Sequence, residues 1–489
     1  MLHLTRNLVQ LYDLATLGIL LLSSVGYVLW LRRSKSKLPP GPKGTPFIGI
    51  QLFDHGLKDF EEWGKEYGEI MHLNAFGQGG IVLLNSHAAA VDLLDRRGGD
   101  YKYRPRFIAV NEFLTRGLFL TSTTDDELWR KMRRVGHECM NKTAVHRYYD
   151  IQQREALIFT ENLLRDSTNW YQEVHRATIS GVLSALYDIP PTLSWDDPLI
   201  TKLNEFDKIV LYAGYPGSYL VEYLTWMRYL PAAIAPWKRK ANEIFNDYSA
   251  LFMRLFRDVE TKLEAGDAMP GLVGHSIRQR ERLGLSDLEA SWIPAAFSNG
   301  GLATAESQLW IFPAMLCFPE AQRKCQEELD AVVGRSRTPT LSDKENLPYM
   351  RATVRELLRW RAIAPIGVPR VNKKGPDVDD FNPDRFIDEN GKLLPAIADT
   401  KDGHLTYGFG PRLCPGRHYA NDTMFITIAQ LLWAATISPA TDEKTGKPII
   451  PDPMDTIGVT IRPRPFPCVI KPRFPEAAEM VSQAKEVLG

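Results

Sequence analysis

Leu405-Thr-Tyr-Gly-Phe-Gly-Pro-Arg-Leu-Cys-Pro-Gly-Arg-His418 sets a lone cysteine among three glycines and two aromatic residues. Gly408, Gly410 and Gly416 bracket Cys414. Glycines so placed permit unusual backbone angles or the close approach of a large flat ligand. A helical pattern follows at once, over residues 417–435. Cys414 is therefore expected at a helix N-terminus, where the dipole favours a thiolate and lowers its pKa. The bland reading is a tight turn around an inert buried thiol. The aromatic, the glycines, the arginine and the cysteine in one spacing speak against it.

A thiolate is an axial ligand for heme iron, and it pushes electron density that favours O–O cleavage. Arg412, two residues earlier, is placed to pair with a heme propionate. The other cysteines, Cys139, Cys317, Cys325 and Cys468, make an odd total of five with no CxxC pair. That is no disulfide framework and suits a reducing compartment. Lys plus Arg equals Asp plus Glu, 59 each. A balanced charge argues against a nucleic-acid partner, which favours a basic excess.

The ten residues from Tyr407 to Gly416 resemble the heme-binding signature of the cytochrome P-450 monooxygenases, with Tyr407 where that family usually has Phe. The general cast is similar to microsomal fungal members. The resemblance implies a mainly α fold with small β-sheets, heme b as cofactor, and insertion of one atom of dioxygen into a lipophilic molecule. It implies further site residues too. Glu356 and Arg359 lie three apart on a helix, so they share a face; with Arg385 of Phe381-Asn-Pro-Asp-Arg-Phe386 they match a buried structural triad near the cysteine loop. Trp129 and Arg133, four apart, match a pair that reaches a propionate, and Arg370 of Val368-Pro-Arg370 is a further propionate contact. Read in isolation, these are a surface ion pair and a solvated basic face.

A long helix over residues 286–318, opened by a Ser286/Glu289 capping box, is the expected oxygen-activating element. The family pattern is small-Gly-x-acid-Thr, a hydroxyl and a carboxylate beside bound dioxygen. Asn299-Gly-Gly-Leu-Ala-Thr-Ala-Glu306 supplies Gly301, to thin the helix, and Thr304. A second register puts Ala303 in the threonine place. In either register the acid is replaced, by Ala303 or Leu302, and Glu306 points elsewhere. Pro313 is expected to kink this helix. The pocket is expected to draw on Phe119, Phe297, Ile366 and Ile457, from segments 107–119, 297–304, 364–367 and 457–459.

Further helices are expected over 129–141, 151–169, 236–264, 320–333 and 347–360, and strands over 70–75, 80–85 and 458–462, from their apolar periodicities. Residues 14–31 carry no charge and are followed by Arg32, Arg33, Lys35 and Lys37. They read as a transmembrane helix with the body on the cytoplasmic side. Three segments follow from this: a membrane anchor over 1–37, a proline-rich hinge over 38–46 and a heme-thiolate domain over 47–489. Residues 219–237 are rich in aromatics and suit a membrane surface. No glycine-rich nucleotide motif is present, so electrons are expected from an NADPH–cytochrome P-450 reductase of the endoplasmic reticulum membrane, with Arg133, Arg134 and Arg417 as docking candidates.

One departure stands out. Arg359 and Cys414 are 55 residues apart, where family members carry some dozens more. The shortfall follows Arg370 and has two readings, a lost exon or a specialised relative. With the missing acid it leaves two rivals to the monooxygenase: a heme-thiolate isomerase, dehydratase or peroxide user, and an inactive remnant.

Overall fold

A computed structural model describes residues 38–44, 57–74, 80–214, 217–267, 270–364, 367–368, 370, 405–458 and 460–488. They fall into two compact units, divided near residue 90. In the first, helix α1 (Leu57–Tyr67) packs beside a hairpin of β1 (Ile70–Leu73) and β2 (Ile81–Leu84). The hairpin is antiparallel, with Ile70 opposite Leu84 and Leu73 opposite Ile81. Phe60, Met71 and Leu73 form its core. The proline-rich spacer is extended, as Pro39, Pro40 and Pro42 dictate, but it is docked rather than free-standing. Pro40 accepts a bond from the His72 amide at 2.9 Å, and a side chain at Gly41 would run into the His72 carbonyl.

The second unit is mainly helical. Its helices are α2 (Glu127–Met140), α3 (Tyr149–Arg165), α4 (Trp170–Tyr187), α5 (Pro198–Ala213), α6 (Pro236–Glu264), α7 (Leu272–Leu283), α8 (Asp287–Leu309), α9 (Ile311–Cys317), α10 (Pro319–Val332), α11 (Pro348–Trp360), α12 (Arg417–Ala434) and α13 (Ala477–Leu488). Two of them, α8 and α12, are apolar on nearly every side and correspondingly buried, which marks central helices. α8 packs most closely on α4, and α12 on α3. Two small antiparallel sheets complete the unit. β3 (Ala435–Pro439) pairs with β6 (Cys468–Pro472), and β4 (Thr456–Ile457) with β5 (Arg462–Pro463).

Most expected helices stand within two residues of the sequence reading; α3 is the exception, stopping at Arg165 rather than 169. The Ser286/Glu289 capping box is formed, Glu289 N–H donating to Ser286 Oγ at 3.2 Å. Three expectations are corrected. The single helix 286–318 is broken at Trp310 into α8 and α9. Pro313 produces no kink, because it sits in the first turn of α9, where a missing N–H does no harm. The proline inside α8 is Pro294; Ala290, the residue a turn before it, has its carbonyl oxygen bonded by Ser276 Oγ at 3.4 Å. Of the strand expected over 458–462, Gly458 (φ 90°), Thr460 and Ile461 lie instead in the turn of the β4–β5 hairpin, and only Arg462 belongs to a strand, β5.

No helix among the described residues is long and apolar enough to cross a membrane. The expected span, residues 14–31, lies outside them, as do Phe47, Ile366 and Arg385.

Candidate active site around Cys414

The cysteine loop is a coil of short backbone bonds. Cys414 N–H donates to Tyr407 O (2.9 Å), Gly408 N–H to Leu405 O (2.9 Å) and Leu413 N–H to Gly410 O (2.9 Å). Thr406 Oγ1 ties it to Leu358 O of α11 at 2.7 Å. The Tyr407 hydroxyl, the extra atom over Phe, donates to Asn421 on α12 at 2.8 Å. The three glycines have different duties. Gly408 (φ 74°) and Gly410 (φ 50°) occupy the left-handed region, where a Cβ is strained. A Cβ on Gly410 would also strike the Leu94 carbonyl. Gly416 is relaxed, at φ −87°; it lines a cavity, and a Cβ there would meet nothing within 4 Å.

That cavity, about 290 Å³, has Cys414, Pro415 and Gly416 on one side and α8 on another. Cys414 precedes α12 as expected, and the N–H groups of Gly416 and Arg417 point at its sulfur. The expected low pKa is not found: burial pushes the thiol up, outweighing those amides and the charges of Arg133 and Arg417. The dipole acts, but desolvation of an unpaired thiolate is the larger effect. Among the described residues no cluster of three or more His, Cys, Asp or Glu could hold a metal ion. A metal on Cys414 would have to carry most of its other ligands with it, as a porphyrin iron does.

Four arginines crowd the same region. Arg412 Nε donates to Lys102 O at 2.7 Å, and its guanidinium lies 4.1 Å from the Trp129 ring centroid. Its Nη2 is buried and has no partner among the described residues. Arg370 Nη2 donates to Phe409 O at 2.8 Å and Arg133 Nη2 to Leu413 O, both on the loop. Arg104 binds Thr121 O at 2.9 Å and Val368 O at 2.7 Å. Burial, then the charges of Arg412 and Arg370, push Arg104 down to about 9; burial pushes Arg412 down to about 10. Cations packed this way call for anions. The two carboxylates of heme b fit, with the orphaned Arg412 Nη2 as an open donor and bare Gly416 giving room for a flat ring. Trp129 is not free for the propionate role expected of it: its indole N–H donates to Leu120 O at 3.2 Å. Trp129 supports Arg412 from beneath instead.

On the α8 wall, Gly300, Ala303, Thr304 and Ser307 line the cavity, spaced as one helix face. Gly300 is exposed, and a Cβ there would meet nothing within 4 Å. Gly301, the residue expected to thin the helix, also reaches the lining, but a Cβ on it would lie 3.0 Å from Val182 of α4. Its smallness serves helix packing, and Gly300 supplies the bare backbone. Thr304 Oγ1 donates to Gly300 O at 3.0 Å. No carboxylate is among the described lining residues. Glu306 points away as expected. It is fully buried and paired with Arg462, its pKa raised by burial.

Phe297 lines the cavity, as do Ile363 and Val368 beside the expected 364–367 segment. Phe119 does not; it is core, edge-on to Phe206 at 5.9 Å, and its neighbours Leu120 and Thr121 take the wall. Ile457 lies in β4, away from the lining. Glu356 and Arg359 form the expected bidentate pair (2.6 and 2.5 Å), but exposed rather than buried, each side chain more than half accessible. On α11 they face away from Met350, Val354, Leu357 and Leu358, which carry its buried stripe. Asn299, which lies in the 297–304 segment expected to line the pocket but was not singled out there, does line the cavity and donates to the buried Asp207 of α5 at 2.8 Å. Its signal was a lone amide in the apolar run from Trp292 to Gly300.

A half-buried cysteine just before a core helix, under a mainly apolar cavity edged by arginines, fits a flat dianionic macrocycle bound through sulfur. The chain belongs to the cytochrome P-450 family, whose sequence profile matches residues 39–380 and 375–466. The two stretches meet beside the shortfall after Arg370. A cytochrome P-450 monooxygenase of Armillaria gallica is 40% identical, over 94% of this chain and 95% of its own. The monooxygenase iboC of Amanita muscaria is 37% identical over 94% and 96%. A zebrafish cytochrome P-450 with progesterone shares the fold, with a TM-score of 0.64 at 21% identity, covering 85% of this chain and 99% of its own. The protein is accordingly a heme-dependent oxidoreductase that incorporates oxygen from dioxygen.

Proposed function

We propose that the chain is a membrane-anchored monooxygenase of secondary metabolism that acts on a lipophilic small molecule, with Cys414 as the iron ligand. The observation that carries this is the Cys414 thiol at the start of α12, beneath an apolar cavity, with the unpartnered Arg412 Nη2 beside it. Heme bound there supplies the activation of dioxygen. The chain's own residues do the rest. Arg412, Arg133 and Arg370 hold the propionates and brace the loop. Leu120, Val182, Leu186 and Phe297 exclude water and favour an apolar guest. Thr304 offers a hydroxyl whose proton is committed to Gly300 O, so it faces the cavity chiefly as an acceptor.

Residues 1–37 serve as a single-pass anchor in the endoplasmic reticulum, 38–46 as a hinge and 47–489 as the cytoplasmic heme domain. NADPH–cytochrome P-450 reductase delivers electrons at the basic side of the cysteine loop.

The reduced carbon monoxide difference spectrum tests the assignment. The wild-type chain is expected to show the band of thiolate ligation, and Cys414→Ser to lose it. A colourless full-length protein made with ample porphyrin, or an unchanged band in Cys414→Ser, overturns it. One observation favours a second reading, a peroxide user: the described lining residues include no carboxylate to deliver protons. Labelled dioxygen with reductase separates the two, since only the monooxygenase places label in the product.

A further inference from the structure

The α8 wall carries one amide. Asn299 lines the cavity among Leu120, Val182, Leu186 and Phe297. Its Nδ2 donates to Asp207 Oδ1 at 2.8 Å, and Asp207, on α5, is only 3% exposed. With Nδ2 as the donor to that oxygen, the amide turns its NH₂ edge toward α5. A carboxamide is planar, with its two polar atoms on opposite edges. Oδ1 is then the polar atom left over. Among the described residues nothing donates to it, and it is not enclosed by protein. A pure hydrocarbon filling the cavity would strip water from this acceptor and give nothing back.

We infer that Asn299 is a specificity-determining residue, with Asp207 as its positioning residue, and that the substrate carries a hydrogen-bond donor, a hydroxyl or N–H, on its lipophilic frame. This rests on the monooxygenase reading of the same cavity. Sites built around a polar contact reject the analogue that lacks it more strongly than apolar pockets reject a missing methylene. Donor-bearing substrates would therefore be selected over hydrocarbons and ethers of the same shape.

The test is a spectral titration of the ferric holoprotein with ω-(imidazol-1-yl)alkan-1-ols of six to ten carbons and with their methyl ethers. The imidazole end anchors each pair alike, and only the far end differs in its donor. At the best chain length the alcohol is expected to bind about tenfold more tightly than its ether. Asn299→Leu brings that ratio to about one. Because this variant strands Asp207, the double variant Asp207→Leu/Asn299→Leu, which removes both polar groups, must show the same ratio with the ether's affinity kept. Asp207→Leu alone, which frees the amide to turn, narrows the ratio. Equal affinities at every chain length in the wild type, or a preference that survives in the double variant, overturns the inference. Failure of every azole to shift the spectrum overturns instead the heme reading beneath it.

Discussion

Gly410 and Gly416 look alike in the sequence and differ in what they resist. Gly410 has φ 50° and no room for a methyl group beside Leu94 O. Gly410→Ala is therefore expected to destabilise the protein by about 2 kcal/mol or more, with or without heme. Gly416 has relaxed backbone and open space, so Gly416→Ala should leave the heme-free protein within about 0.5 kcal/mol of wild type while lowering heme retention. Urea midpoints and the heme-to-protein ratio of both variants check this; equal urea midpoints for the two would contradict it. Asp207 makes a second residue-scale prediction. Burial, partly offset by Asn299, raises its carboxyl from 3.8 to about 7. Since the folded value is the higher one, the stability associated with protonated Asp207 is complete below about pH 4 and is lost as pH rises to 7. Asp207→Asn does not titrate. Its stability relative to wild type should climb across that window, by about 2–4 kcal/mol, and then level off. A difference that stays flat from pH 4 to pH 7 would show that Asp207 is not the group responsible.

Elements were legible where packing leaves a long signature. α8 and α12 are apolar all round and were found, as was the loop whose glycines and cysteine announce a cofactor. The β4–β5 hairpin was misread because two-residue strands are too short to show a period of two. The exposure of Glu356 and Arg359 was equally hidden, since spacing puts two side chains on one face without saying what covers that face. The pairing of α8 with β5 had no local signal at all: Glu306 and Arg462 are 156 residues apart and meet only in the fold. Arg462 Nη1 binds Glu306 Oε1. Arg462→Met leaves a fully buried acid without its cation and is expected to cost about 3–5 kcal/mol. Pairing it with Glu306→Leu should recover most of that loss, because the stranded charge is gone. A double-mutant cycle on urea midpoints gives the coupling, and additive losses would show that the pair contributes little.

At the scale of the molecule, the described surface has an apolar region that the globular core does not explain. Leu220 (65%), Trp226 (59%), Tyr229 (72%) and Ile234 (66%) are exposed within fifteen residues. Nothing among the described residues covers them, and patches of this kind mark interaction surfaces. Aromatic side chains with a polar edge favour the boundary of a bilayer. Arg228, Lys238 and Arg239 stand among them, the signs that attract anionic headgroups. The segment is also tied to the helical turn that starts at Ile108: Glu222 accepts from the Ile108 and Ala109 amides at 3.0 and 2.7 Å. A bilayer that held 220–234 would thus also steady residues 108–109. If three such side chains each insert ~100 Å², roughly 25 cal/mol per Å² gives about 7 kcal/mol of gross affinity. A chain beginning at Leu38 should therefore still float with vesicles of phosphatidylcholine and phosphatidylserine. The triple variant Trp226→Ser/Tyr229→Ser/Ile234→Ser should lower that partition by at least tenfold and leave the carbon monoxide spectrum untouched. Should the variant and the parent partition alike, these side chains would not be what holds the bilayer, and the patch would need another partner.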